Sequence, residues 1–456
     1  MFDHRSYLGW VTDLASRPHP TACWPAITLE DWLLEDYATT FAAMERIGLN
    51  EIVVWGLFTA VAWPLDVESA VGEQRAVRIR RLIDLAHGHD IKVLAGLGVY
   101  SWGFDQIIAA HPHLVRGNPR VMCSANPEAW AWQQRIVDYV FSWDLDGISM
   151  QSADHGRCPC DNCAHLSDVA YHAALNARTA GYVKRRWPKK LVGVNSWGMT
   201  FEHPADVPHL VDLSHHVDYI IDAHDTARRS GEAHKRWLID SVRCAWGTIG
   251  GWSVEPPLHW TRDRWFLPCL ASAASHIYEL AASGGGACEL FFRITANPGD
   301  EISLLTCGRL LNDPDGNWRR CLMASVREVY EPADDATAEA VADLFLQAEA
   351  AYFDNAHEMT RVGTISMEPL VSDHAGEPVY LIDHMDSAAL DRYETALREV
   401  QADALRLVDA VAAPERVRKI ARCIDGVMRD IDRARAAMSR KGGEPATVEP
   451  SPLSIG

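Results

Sequence analysis

Asp146-Gly-Ile-Ser-Met-Gln151-Ser-Ala-Asp154-His155-Gly-Arg157-Cys158-Pro-Cys160-Asp-Asn-Cys163 is the stretch whose reading decides the fold. It passes from a short apolar run, 147–151, into a carboxylate, an imidazole and a group of cysteines. A brief apolar run bounded by polar residues, too short for a helix, reads as a strand buried on both faces. Strands of that kind belong to α/β folds, where reactive groups gather at the points where strands end and βα loops begin.

Working outward, the same strand-helix pair recurs in both directions. Strands are expected at 7–11, 51–58, 91–100, 147–151, 190–195, 219–222, 248–254 and 287–293. Helices are expected at 29–47, 75–87, 127–143, 167–187, around 207–215, 231–242 and 264–282. Eight such units over about 300 residues suit a closed barrel better than an open doubly wound sheet. The sequence therefore predicts an α/β chain whose residues 1–315 form a (β/α)8 TIM barrel. No G-x-G-x-x-G follows the first strand, which weighs against a dinucleotide cofactor.

Beyond Asp313-Pro-Asp-Gly the strands stop and long helices begin. Asp386-Ser387 reads as the start of a helix with Leu390, Tyr393, Leu397, Val400, Ala404, Leu407 and Val411 on one face. Pro414 opens a second, with Val417, Ile420, Ile424, Val427, Ile431 and Ala434 at the same spacing. Together with a helix at 337–352 these form a C-terminal α-helical domain, 316–440. Its exposed faces are the surface through which a homo-oligomer would form. Residues 441–456, rich in Pro and Gly, are expected to be a disordered tail.

Lys+Arg of 43 against Asp+Glu of 62 give a net charge of −19, which argues against nucleic acid or an anionic membrane surface as a partner. The start of the sequence lacks a basic segment followed by an apolar run, and no stretch reaches the roughly 18 apolar residues of a membrane span. A soluble, cytoplasmic chain is expected. Eleven cysteines, an odd number without a secretory signal, do not read as a disulfide framework.

Chemistry is sought at the strand ends. Hydrolysis of a glycosidic bond needs two carboxyl groups, one to protonate the leaving oxygen and one to activate water or attack the anomeric carbon. Asp154 follows strand four, Asp222 and Asp225 end and follow strand six, and Glu255 follows strand seven. These four are the catalytic candidates, although acidic residues in βα loops also serve as helix caps. Glu289, early in strand eight, reads as an inner-layer residue. Aromatic faces suit the C–H faces of sugars, and Trp55, Tyr100, Trp102, Trp197 and Trp252 all fall just after strands. Gln151, His155, Arg157, Asn195, His224 and Arg293 complete the candidate substrate-binding set. The expectation is an exo-acting glycoside hydrolase trimming a small glycoside or oligosaccharide, with no organic cofactor.

Cys158, Cys160 and Cys163 form a C-x-C-x-x-C motif, and Cys123 lies in the preceding βα loop. Neighbouring loops on one barrel face would bring four such thiolates within reach of one structural zinc, the alternatives being reduced packing cysteines or an occasional disulfide. Two other readings stay open: a zinc-dependent hydrolase or lyase using this cluster, and a barrel that binds sugars without cleaving them.

The segment Ile148-Ser-Met-Gln-Ser-Ala-Asp-His-Gly-Arg resembles the K-A-D-S-E-G-Q stretch of the xylan-type α-glucuronidases, barrel enzymes followed by a helical domain. The chain also resembles related barrel proteins carrying S-x-D-x-G-x-C-x-C-x-x-C, an earlier C-x-x-N-P-E and a later L-x-x-D-P-D. The matching pieces are Cys123-Ser-Ala-Asn-Pro-Glu128, the cysteines from Cys158 to Cys163, and Leu310-Leu-Asn-Asp-Pro-Asp315. The resemblance implies Asp154 as proton donor and Asp222 or Asp225, with Glu255, as base candidates. It also departs from the pattern, because the family's glutamate falls nearest His155 and the α-glucuronidases lack the cysteine motif.

Overall fold

Eight parallel strands succeed one another around a ring in chain order: β1 (His4–Trp10), β2 (Glu51–Trp55), β3 (Lys92–Gly98), β4 (Gly147–Gln151), β5 (Leu191–Asn195), β6 (Tyr219–Asp222), β7 (Ala245–Trp252) and β8 (Ala287–Phe291). The ring closes where Gly286 N donates to Trp246 O and His4 N donates to Gly286 O. The fold is a (β/α)8 barrel with further helices after it, as the repeating strand-helix pattern predicts. The computed structural model describes residues 1–10, 29, 31–59, 62–153, 155–197, 199–223, 230–252, 266–291, 297–356, 381 and 385–440. Asp154, His224, Asp225, Glu255, Arg293 and the expected tail at 441–456 lie outside them.

The register is regular, with Ser6 opposite Glu51, Glu51 opposite Lys92, Gly96 opposite Ser149 and Gly193 opposite Tyr219. Every residue of β2, β4 and β6 is buried, because helices cover the outer face while side chains fill the inside. Several strands differ from expectation at their ends: β1 starts at His4 and not at 7, and β2 stops at Trp55 and not at 58. β3 stops at Gly98, since Tyr100 takes a positive φ of 64° and cannot continue an extended chain. β7 starts at Ala245, ahead of the expected 248, even though its glycines resemble a turn. At Gly247 the space a side chain would take is filled by Ala287, whose carbonyl oxygen would lie 2.4 Å from an added Cβ.

The lower barrel interior is polar. Glu51 is fully buried and meets His4 Nδ1 at 2.9 Å, the Ser6 hydroxyl at 3.3 Å and Lys92 Nζ at 3.6 Å. The Tyr219 ring lies 4.7 Å from that of His4, across the barrel, and occupies the space left by Gly193.

By contacts the chain divides into two units. The first comprises Met1–Ile249 and Leu280–Glu289, the second Gly250–Glu279 and Leu290–Gly456. In the second, helix Pro298–Asn312 is buried along most of its length and packs with Trp318–Tyr330. Helices Ser387–Leu407 and Pro414–Arg440 pair through the two apolar stripes read from sequence: Leu390, Tyr393, Leu397 and Val400 are buried, as are Val417, Ile420, Ile424 and Val427. Asp386 caps the former by accepting from Ala389 N at 2.7 Å. Among the described residues no helix is long and apolar enough to cross a membrane.

Candidate active site

One end of the barrel, where the strands terminate, carries an aromatic wall. β3 presents Gly96 and Gly98 on one face, and the vacated space is taken by tryptophans: an added Cβ would lie 2.2 Å from the Trp55 ring at Gly96 and 2.0 Å from the Trp102 carbonyl oxygen at Gly98. Trp55 and Trp102 meet edge to face at 5.2 Å. Trp55 is buried and Trp102 half-buried. Tyr100 lies deeper. It is fully buried, its hydroxyl accepts from Arg178 at 3.3 Å, and burial pushes its pKa up to about 12.

The loop after β4 is fixed on both sides of Asp154. Ahead of it, the Ser152 hydroxyl accepts from Asn176 at 3.1 Å and the Ser152 carbonyl from the Ser101 hydroxyl at 3.2 Å. Behind it, Asn118 Nδ2 donates to the His155 carbonyl at 2.8 Å, and the Arg120 guanidinium lies 2.7 Å from His155 Nε2. Burial, then the Arg120 charge, holds the His155 pKa below its ordinary value. The ring is therefore neutral near pH 7 and accepts through Nε2, which leaves its proton on Nδ1. Arg157, one of the substrate-binding candidates, pairs with Asp168 at 3.0 Å and donates to the Leu166 carbonyl.

The four cysteines come together. Cys123 Sγ lies 3.6 Å from Cys160 Sγ, Cys160 Sγ lies 3.6 Å from Cys163 Sγ, and all four sulfurs, Cys158 included, fall within 4.8 Å of one another. None is in a disulfide. Burial opposes ionisation of Cys160, but hydrogen bonds from Cys158, Cys163 and Cys123 outweigh it and bring that thiol down to about 7.

Across the barrel, β5 and β8 meet through a carboxyl the sequence reading placed in an inner layer. Asn195 Nδ2 donates to Glu289 Oε2 at 3.2 Å, while Asn195 Oδ1 accepts from Trp197 N at 3.0 Å. Glu289 is fully buried, and its Oε1 has no hydrogen-bond partner among the described residues. Desolvation raises its pKa from the ordinary 4.5 to about 8, the Asn195 hydrogen bond opposing the shift and the Glu51 charge adding to it. At neutral pH it is largely a protonated acid.

Asp222 is also fully buried, at the end of β6, where its carbonyl accepts from the Thr248 hydroxyl at 3.1 Å. Strand alternation puts it on the face of Ile220, opposite that of Tyr219, which looks into the barrel. Gln151 is buried at the end of β4, and Trp252 ends β7. The structure thus joins Asn195 to Glu289, Trp55 to Trp102, and the four cysteines to one another. Arg120 and Asn118, which grip His155, were missed because nothing in a run of loop residues marks contacts across 35 or 37 positions.

A hollow of about 550 Å³ opens elsewhere, among Glu68, Arg135, Asp138, Tyr139 and Tyr182, on helices that cover the strands. Its charged groups are paired, Arg135 with Glu68 and Tyr182 with Asp138.

No family model matches the chain, and no curated protein matches it. Solved structures do. One is a mutant of the O-GlcNAc hydrolase of Thermobaculum terrenum, with a TM-score of 0.50 and 12% identity over 96% of this chain and 84% of that one. Another is a GH138 enzyme targeting pectin rhamnogalacturonan II, with a TM-score of 0.58 and 8% identity over 96% of this chain. The match covers 58% of that enzyme, so this chain spans little more than half its length. At such identities the likeness is one of fold.

Proposed function

We propose that the protein is a glycoside hydrolase acting at the C-terminal end of its barrel. The observation that carries this reading is the closed parallel barrel, whose strands β4, β6 and β7 are followed in the sequence by Asp154, Asp225 and Glu255, the positions from which such barrels draw their reactive groups. Trp102, half-buried against Trp55 beyond the end of β3, adds an aromatic face of the kind that suits a sugar ring. The two solved structures described above are of glycoside hydrolases, which supports the same chemistry here.

Asp154 is the proposed proton donor, because the residues on either side of it are locked by side chains from three other segments. Asp225 and Glu255 are the proposed partners for water or the anomeric carbon. Asp222, on the outer-face parity of β6, is the weaker choice. The separation of the pair sets the outcome, about 5 to 5.5 Å for retention and roughly 6.5 to 9.5 Å for inversion. The substrate is proposed to be a small glycoside or oligosaccharide trimmed from one end. A uronic acid, suggested by the motif likeness to α-glucuronidases, would have to find its cation in Arg293, since Arg157 is engaged by Asp168.

A panel of aryl glycosides assayed with the wild type, Asp154→Asn, Asp222→Asn, Asp225→Asn and Glu255→Gln tests the reading. Loss of a general acid or base costs about 10²- to 10⁴-fold in turnover. Asp154→Asn and one of the Asp225 or Glu255 variants are expected to fall that far, and Asp222→Asn much less. Equal turnover by Asp154→Asn and wild type removes Asp154 from the mechanism. Sugar binding without hydrolysis of any substrate would favour a non-catalytic barrel.

A further inference from the structure

We propose that Cys123, Cys158, Cys160 and Cys163 bind one zinc ion in a closed site that clasps the loops after β3 and β4. The loops meet here from two directions. Cys123 is set by its own backbone, whose N–H donates to the Leu114 carbonyl at 2.7 Å, in the segment leading to helix Pro127–Val140. Cys158, Cys160 and Cys163 surround the single turn Asp161–Ala164, in which Cys163 N and Ala164 N both donate to the Cys160 carbonyl at 2.8 Å. That turn brings two sulfurs of a C-x-x-C onto one side, as tetrahedral sites require.

The distances fit an ion and not a bond between sulfurs. A zinc–sulfur length of about 2.3 Å gives a tetrahedron with edges of about 3.8 Å. The sulfurs stand 3.6 Å apart in two pairs and within 4.8 Å in all. A disulfide needs about 2.05 Å. Cys123, Cys158 and Cys163 are almost wholly shielded from solvent, and among the described residues no carboxylate or imidazole joins the cluster. The surroundings also suit a doubly negative centre: the Ser124 hydroxyl lies 3.4 Å from Cys163 Sγ, and Arg178 reaches the Ser124 carbonyl at 3.5 Å. Four thiolates saturate the ion, so it holds loops together and offers water no open position.

The clasp matters because of what the same two loops carry. The first supplies Asn118 and Arg120, the second His155, and their contacts of 2.8 and 2.7 Å flank the position after Asp154. Zinc would keep the loops in register and so preserve these contacts whatever reaction the barrel performs.

Metal analysis of the full chain purified from zinc-supplemented medium is expected to give one zinc per chain, and X-ray absorption at the zinc edge four sulfurs at about 2.3 Å. Titration with a mercurial should release that zinc, and amide exchange across 114–126 and 156–166 should then quicken at least about tenfold. Cys160→Ser should lose most of the metal, while Cys321→Ser, outside the cluster, should keep it. The proposal is overturned by less than about a tenth of a zinc per chain, by iron in its place, by a disulfide between any two of the four cysteines, or by oxygen or nitrogen ligands in the absorption spectrum. Each measurement is made without substrate, so an inactive enzyme with a full zinc site and an active enzyme without one are told apart.

Discussion

Glu289 shows how a residue's neighbours decide its chemistry. A carboxyl in water is ionised at neutral pH, but inside the barrel, with Asn195 as its one hydrogen-bond donor among the described residues, it keeps its proton to about pH 8. The sign of the consequence follows. A carboxyl whose pKa is raised on folding contributes fully below about 4.5 and loses that contribution as pH climbs through about 8, because the unfolded chain gives up its proton first. Wild-type stability should fall over that window by at most about 1.4 kcal/mol per pH unit from this group. Glu289→Gln keeps an acceptor for Asn195 without the titration. Denaturation midpoints measured from pH 5 to 8 are expected to fall less in the variant, which should be the more stable protein at pH 8. A parallel decline in both proteins would show that Glu289 is ionised inside the barrel. Sequence placed this residue in an inner layer, but the donor that meets it comes from β5, 94 positions away, and no local pattern announces that contact.

At the scale of elements, helix ends need partners for their free N–H groups, and helix Ala271–Ala282 finds its partner far along the chain. Glu349, buried in helix Asp335–Phe353, accepts from Leu270 N at 2.9 Å, Ala271 N at 3.0 Å and Ser272 N at 3.1 Å, and from the Ser272 hydroxyl at 2.6 Å. A negative group at a helix N-terminus is favoured by the helix dipole as well as by these bonds. Glu349→Ala strands several buried donors at about 1–3 kcal/mol each and is expected to cost roughly 3 kcal/mol or more, whereas Glu349→Gln, which keeps one carbonyl acceptor, should cost less. Thermal melts of the two variants check the order. Local caps of this chain were readable in advance, Asp386 among them, since cap and helix are contiguous. Glu349 was not, since its helix reads as an amphipathic repeat and its partners lie 77 to 79 positions away.

For the molecule as a whole, the two contact-defined units do not follow a single cut in the sequence: Gly250–Glu279, between β7 and β8, belongs with the helices that follow the barrel. A chain ended at residue 315 would retain helix Pro298–Asn312, which is buried along most of its length, but lose Trp318–Tyr330, which packs against it. Its exposed apolar face is expected to make the shortened chain aggregate, as size-exclusion chromatography would show, while the full chain elutes as a discrete species. The sequence by itself determined the barrel, because eight apolar runs alternating with amphipathic ones have few ways to bury their surfaces, and it determined the paired late helices through their unbroken three-four spacing. It also singled out the cysteines, whose chemistry is carried in their spacing. Only the tertiary structure decided that all four sulfurs meet, that Arg157 is bound to Asp168, that Arg120 holds His155, and that a protonated Glu289 sits under Asn195. The reason is physical: periodicity records which face of an element is apolar, but ring closure and loop packing fix which distant side chains share a space. Hydrogen bonding and desolvation, the terms that set chemistry, act only once those distances exist.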